Sequence, residues 1–350
     1  TLINAQKNLF DSFIQLIATA IDEKSPYTAK HCRRVPVITD MLADATNKID
    51  RGPLKDFSMN DNEMYELNVA AWLHDCGKIT TPEYVVDKST KLETIFDRIN
   101  LVDIRFEVLK RDAVITALKA IIKENKDCDD IDKELENNFA LKNRLKELDD
   151  ERIEIEKYNI GGESLLDNDL KRIKELSENV YENSVGESVH LLNDNEVENL
   201  QISRGTLNRK EREIINNHVS MTIKMLESLP YPKHLKNVPE FAGCHHEKMD
   251  GTGYPNKLKG NQMSIPARMI AIADIFEALT AGDRPYKKGM SLSRALKILG
   301  RMKLENHIDP DLFDVFIDKK IYLIYAKEHL NEDQIDEINF QDIPGYNPLN

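Results

Sequence analysis

Apolar residues recur at three- and four-residue intervals along almost the whole chain, while the apolar–polar alternation of a half-buried strand is hard to find. Leu9, Phe10, Phe13, Ile14, Ile17 and Ile21 make an N-terminal amphipathic helix. His31, Val35, Ile38 and Leu42 share one face of a second, and Leu67, Ala70, Ala71 and His74 one face of a third. The pattern specifies an all-α fold.

At 350 residues, against about 150 per domain, the chain holds two units or one with a large insertion. From about Asn100 to Arg204 the composition turns to Lys, Glu, Asp and Asn around a thin apolar seam, of which Ile115, Leu118, Ile122 and Leu141, Leu145, Leu148 are fragments. Gly161-Gly162 and Asn183-Ser184-Val185-Gly186 punctuate it. So narrow a stripe suits a helical hairpin or short coiled coil rather than a second globular core. The expected layout is an N-terminal linker or dimer helix (1–20), a helical domain in two parts (21–100 and 205–323) split by the charged insertion (101–204), and a tail (324–350). A strong helix restarts at Thr206–Leu226, where Asn208 and Glu211 have capping-box spacing, and another starts near Pro266.

Lys and Arg number 48 against 61 Asp and Glu, a formal charge of −13. That argues against duplex DNA or RNA and against anionic membrane as partners, since both call for a basic footprint. No run approaches the ~18 apolar residues of a membrane span, and no signal-peptide pattern opens the chain. Cys32, Cys76, Cys128 and Cys244 form no CxxC pair and read as buried filler in a reducing, cytoplasmic setting. The start at Thr1 rather than Met suggests a piece of a longer protein. With it goes an expected upstream sensor or receiver domain, and a homodimer through the Leu9–Ile21 stripe.

Five of the nine histidines, His31, His74, His218, His245 and His246, fall on predicted helical segments among apolar neighbours. One such histidine is ordinarily a satisfied core residue; five, together with Asp75 and Asp274, are a ligand set. Imidazole and carboxylate suit borderline divalent ions such as Fe, Mn, Zn, Ni and Co. Seven donors exceed what one ion takes when water must also bind, so two ions are expected, with Asp75 bridging them at ~3.5–4 Å. Lys78, at i+4 from His74, is placed to stabilise charge on a phosphoryl oxygen.

The run His245-His246-Glu247-Lys248-Met249-Asp250-Gly251-Thr252-Gly253-Tyr254-Pro255 matches HHExxDGxGYP in full. Here the chain resembles the HD-GYP phosphodiesterases, a branch of the HD phosphohydrolase superfamily, over roughly 21–101 and 205–323. The resemblance implies an HD-domain helical bundle with a GYP extension, and two divalent ions, Fe or Mn foremost, on His31, His74, Asp75, His218, His245, His246 and Asp274. Asp75 and Lys78 would serve catalysis, Arg284 and Lys287 in Asp283-Arg284-Pro285-Tyr286-Lys287 would grip substrate phosphates, and Gly253, Tyr254 and Pro255 would wall the nucleotide. Glu247 and Asp250 are expected to orient imidazoles rather than to ligate. The implied reaction linearises a cyclic dinucleotide, c-di-GMP or 3′,3′-cyclic GMP-AMP, with further cutting to mononucleotides in some members. The alternatives are a binding module that has lost catalysis and a broader HD phosphohydrolase acting on mononucleotides. Two departures stand out. His74 and His218 lie 218 − 74 = 144 residues apart, where the family has a few tens. Tyr27 also stands where some members carry a glutamate for a third metal, four residues before His31, with Glu23 a further turn back.

Overall fold

Helix α1 (Leu2–Asp22) divides its apolar residues between two faces: Ile14, Ala18 and Ile21 are buried, whereas Leu9, Phe13, Leu16 and Ile17 are exposed. The computed structural model containing it describes residues 2–24, 30–124, 131–162, 164–282 and 289–348. Packing separates Thr1–Val86 with Glu213–Asn350 as one unit and Asp87–Arg212 as another. In the first unit, α2 (His31–Thr46) buries Val35, Ile38 and Leu42 on the face that carries His31, as the 3.6-residue period requires. Helix α3 (Asp61–Leu73) opens on a capping box: Asn60 Oδ1 accepts from the Asn62 and Glu63 amides, and Glu63 accepts from the Asn60 amide. A 3₁₀ turn over Cys76–Thr80 and the short α4 (Glu83–Val86) follow.

The Asp87–Arg212 unit pairs α5 (Ile99–Glu124) with α7 (Phe139–Asn159), α6 (Ile131–Asn137) lying between them in sequence. It continues through α8 (Asp167–Ser177), a hairpin of β1 (Val180–Glu182) and β2 (Ser188–His190) with Val180 opposite His190, and α9 (Asp194–Leu200). The expectation that this stretch has no second globular core is corrected here, because the unit has a core of its own. Phe106, Leu148 and Ile155 from the helix pair meet Leu92, Ile173, Leu191, Leu192 and Leu200 from outside it. Scattered through short elements, those residues complete a seam that the long helices could not bury alone; Ile115 and Ile122 remain exposed. The unit also begins before the charged stretch and ends after it, since Lys88 is buried with both ammonium contacts to Glu211 at 2.8 Å.

Helix α10 (Arg209–Glu227) starts as its sequence requires: the Glu211 amide donates to Asn208 Oδ1 and the Asn208 amide to Glu211 Oε2. Next come α11 (Val238–Gly243) and α12 (Ile265–Thr280), the latter with Ser264 as N-cap and Pro266 in its first turn. Being apolar around most of its circumference, α12 is buried nearly throughout and packs on α2 and α11. Around it lie α13 (Leu292–Leu304), α14 (Pro310–Asp318) and α15 (Ile321–His329). The tail is anchored through Gln334, whose amide donates to the Thr280 and Met290 carbonyls, and through buried Ile343. Among the described residues no helix is long and apolar enough to cross a membrane.

Candidate metal centre

The seven residues expected as ligands converge in one unit, carried mostly by the ends of helices. His31 is the first residue of α2, and His74 caps the C-terminus of α3. His245 and His246 lie in the turn past α11 rather than inside a helix, while His218 and Asp274 sit within α10 and α12. What lets the His74-Asp75 segment close on α10 is Gly77. A Cβ there would lie 1.9 Å from the His218 carbonyl oxygen, so no other residue fits. The Gly77 amide donates to Thr222 Oγ1, which in turn donates to the His74 carbonyl.

Asp75 holds the middle of the cluster. Its Oδ2 lies 3.4 Å from His31 Nε2 and 3.3 Å from His74 Nε2, and His31 Nε2 is 3.2 Å from Asp274 Oδ1. The other oxygen, Oδ1, faces His218 Nε2 at 3.1 Å and His245 Nε2 at 3.8 Å. Two donor groups result, His31–His74–Asp75 and His218–His245–His246. The outer ring nitrogens fix the tautomers. His74, His218 and His245 direct Nδ1 at the carbonyls of Ala71, Ile215 and Ala242, at 2.7, 2.5 and 2.7 Å. A carbonyl has no proton to give, so Nδ1 carries the hydrogen and Nε2 presents a lone pair inward. His31 is held likewise by Glu277 Oε2, and Glu277 Oε1 accepts from Arg34 Nε at 2.5 Å.

These inward atoms are buried: His31, His74, His218 and His245 Nε2 and Asp75 Oδ1 have no hydrogen-bond partner among the described residues. Lone pairs buried without donors are costly unless they coordinate a metal. Separations of 3.2–3.4 Å also suit two atoms sharing an ion at about 2.1 Å. The donor set fits divalent metal.

Charge on the site follows from burial and neighbours. Burial acts to raise the Asp75 carboxyl, but Lys78 and His74 outweigh it and hold it well below the usual range. Lys78 Nζ donates to Asp75 Oδ2 at 2.5 Å, and Asp75 and Asp274 keep its ammonium charged despite burial. Burial, with His246 and His74 adding repulsion, pushes His245 well below the ordinary imidazole value; His246 falls to about 4. Both are neutral, the form in which imidazole ligates.

Several expectations need correction. Lys78 does not share a helical face with His74; the segment is a 3₁₀ turn, which sets Lys78 over Asp75, three residues before it. Glu247 orients no imidazole: its oxygens accept from the Asn256 and Leu258 amides and hold the glycine-rich loop. Exposed Asp250 makes a local turn, accepting from the Thr252 amide and hydroxyl. In that loop Gly251 takes φ +81°, whereas Gly253 is there for space, since a Cβ would meet Lys248 N at 2.4 Å. Tyr254, followed by a cis bond to Pro255, sets its ring 4.9 Å from that of His246. Arg284, Lys287, Tyr27 and Cys128 lie outside the described residues; Cys32, Cys76 and Cys244 are buried free thiols. Glu277 was not foreseen, although its i+3 spacing from Asp274 put both on one face of α12.

An HD-domain family model matches residues 195–312. Over 110 residues, 31% of this chain and 23% of the relative, the chain is 40% identical to the 3′3′-cGAMP-specific phosphodiesterase 3 of Vibrio cholerae. A cyclic di-GMP phosphodiesterase of Pseudomonas aeruginosa is 44% identical over 73 residues (21% and 17% of the two chains), and one of Thermotoga maritima 31% over 126 residues (35% and 33%). Residues 195–312 of this chain match an HD domain, and the His245–Pro255 run lies inside that match. Each match covers a third or less of the relative's own length. An HD domain implies divalent metal, and the buried His–Asp cluster of this one presents the donors.

Proposed function

We propose that this chain is a metal-dependent phosphodiesterase of the HD-GYP type that opens a cyclic dinucleotide, c-di-GMP or 3′,3′-cyclic GMP-AMP, to its linear form. One observation carries the reading. The two oxygens of Asp75 face separate groups of imidazole lone pairs, the arrangement a two-ion site requires. His31, His74, Asp75 and Asp274 would hold one ion and Asp75, His218, His245 and His246 the other, Fe or Mn. Such ions supply Lewis-acid polarisation of a phosphoryl group and lower the pKa of water.

The chain's own groups do the rest. Asp75, ionised through Lys78 and His74, offers charge to both donor groups without a proton to lose. Lys78 keeps a fixed cation beside Asp75, where it can neutralise charge building on a phosphate oxygen. Tyr254, against His246, offers an aromatic wall for a base. The names of the relatives support the substrate class. To the same proposal belong a cytoplasmic location, in keeping with the buried free thiols, an upstream sensor or receiver domain, and a homodimer through the exposed Leu9, Phe13, Leu16 and Ile17 face. A strictly monomeric chain in light scattering overturns the dimer.

The test is to load the chain with Fe(II) or Mn(II), supply c-di-GMP and cyclic GMP-AMP, and identify products by mass spectrometry. Linear dinucleotide from the wild type and none from His74→Ala is the expected result. Undiminished turnover by His74→Ala overturns the mechanism. Binding without turnover across Fe, Mn, Ni and Co makes the chain a binding module, and turnover of mononucleotides alone makes it a broader phosphohydrolase.

A further inference from the structure

The turn that carries Asp75 and Lys78 is held from outside the metal cluster. Lys24, two residues past the end of α1, directs its ammonium at three main-chain carbonyls: Lys78 at 3.2 Å, Ile79 at 2.5 Å and Thr81 at 2.6 Å. An ammonium has three protons, and here three oxygens receive them. These carbonyls lie at the C-terminal end of the Cys76–Thr80 turn, where the Lys78 carbonyl also accepts from the Thr81 amide and a cation is favoured. Two residues earlier, buried Asp22 accepts from the Cys32 amide at 3.2 Å, directly after His31. The end of α1 thus grips the main chain beside His31 and the turn bearing Lys78.

We propose that Lys24 is a positioning residue: by clamping the carbonyls of Lys78, Ile79 and Thr81 it fixes the ammonium of Lys78 over Asp75. Its effect on rate rests on the phosphodiesterase reading; its effect on the turn does not. An ammonium in that place does what a neutral donor could not, because each carbonyl receives a charge-assisted bond. Loss of the clamp frees the turn at its far end, so Lys78 wanders more than Asp75, which is also held by the cluster.

The full-length chain is compared with Lys24→Met, Lys24→Arg, Lys78→Met and the Lys24→Met/Lys78→Met double variant, each with Mn(II). Amide hydrogen exchange over residues 76–81 is read first. About tenfold faster exchange is expected in Lys24→Met, with near wild-type protection in Lys24→Arg, which keeps charge and donors. In steady-state kinetics, kcat of Lys24→Met falls about tenfold while KM stays within about twofold, and Lys24→Arg recovers most of the loss. Because Lys24 acts through Lys78, the double variant is no slower than Lys78→Met alone. Wild-type exchange in Lys24→Met, or full additivity in the double variant, overturns the proposal. If Lys24→Met fails to fold, Lys24→Arg decides: a folded arginine variant whose turn exchanges freely also overturns it. A wild type that turns over no cyclic dinucleotide sinks the phosphodiesterase reading alone, and the exchange result still decides Lys24.

Discussion

In the Asp87–Arg212 unit, buried charge ends on partners: Lys88 donates to both oxygens of Glu211 and to Asn199, Arg105 to both oxygens of Glu196, and Lys91 to the Leu200 carbonyl. In the unit that holds the His–Asp cluster, four imidazole nitrogens and Asp75 Oδ1 are buried with no hydrogen-bond partner among the described residues. Among the described residues of the Asp87–Arg212 unit, only Arg98 Nη2 breaks the pattern. Each unpaired buried polar group costs about 1–3 kcal/mol, so five such atoms around one point are not kept for stability. The paired unit meets its buried charge with its own side chains and carbonyls. The other stores unmet coordination where a ligand can claim it, which is how burial separates a site from a core.

The largest effect that tests this contrast is at Asp75. Asp75→Asn keeps the shape and removes the shared charge, so metal content by elemental analysis should fall and turnover drop by about 10³-fold. An Asp75→Asn protein that holds two ions and works at the wild-type rate would erase the distinction between the units. The paired unit should break differently. Lys88→Met leaves Glu211 buried without its cation, at a cost of about 3–5 kcal/mol in urea denaturation, while the folded protein keeps its full metal content. Lost metal at unchanged stability would reverse the roles assigned to the two units.

The fold was largely legible because helical spacing is local information. The Asn208–Glu211 cap and the buried faces of α2 and α3 follow from residue type and a 3.6-residue period. Long-range facts were not legible in that way. The second core draws Leu92, Leu191 and Leu200 from short elements with no periodicity of their own. The clustered histidines could be picked out because imidazole among apolar neighbours is unusual and a specific motif named two of them. Glu247 and Asp250, placed in the sequence beside those histidines, proved to serve their own loop, since chain proximity does not fix where a carboxylate points. Glu277 was hidden for the converse reason: an acidic residue in an apolar helix declares no partner until His31, 246 residues away, meets it.

Glu277 therefore offers the next, smaller test. Glu277→Gln preserves volume but removes the charge that holds His31 Nδ1 and Arg34 together. Outer partners of ligand histidines contribute about 10–100-fold in metal affinity or activity, and that range is expected in Mn(II) titration calorimetry. Wild-type affinity would mean that His31 is positioned by α2 alone.

Asp40 tests whether an unmet buried oxygen is sufficient to mark a site. It lies on α2 nine residues beyond His31, about 13 Å along the helix. Its Oδ1 is buried without a hydrogen-bond partner among the described residues, while Oδ2 accepts from Asn68 at 2.6 Å. Burial raises its carboxyl from 3.8 to about 6. Between those values the folded chain binds a proton that the unfolded chain has released, so this group's penalty is complete above pH 6 and fades as pH falls toward 3.8. Asp40→Asn should accordingly stabilise the protein by about 1–2 kcal/mol at pH 8 and by almost nothing near pH 4, with metal content unchanged. An equal gain at both pH values would trace the effect to packing instead of charge. A fall in metal content would extend the site along α2, and the contrast would then rest on which unit an orphaned atom belongs to rather than on convergence around Asp75.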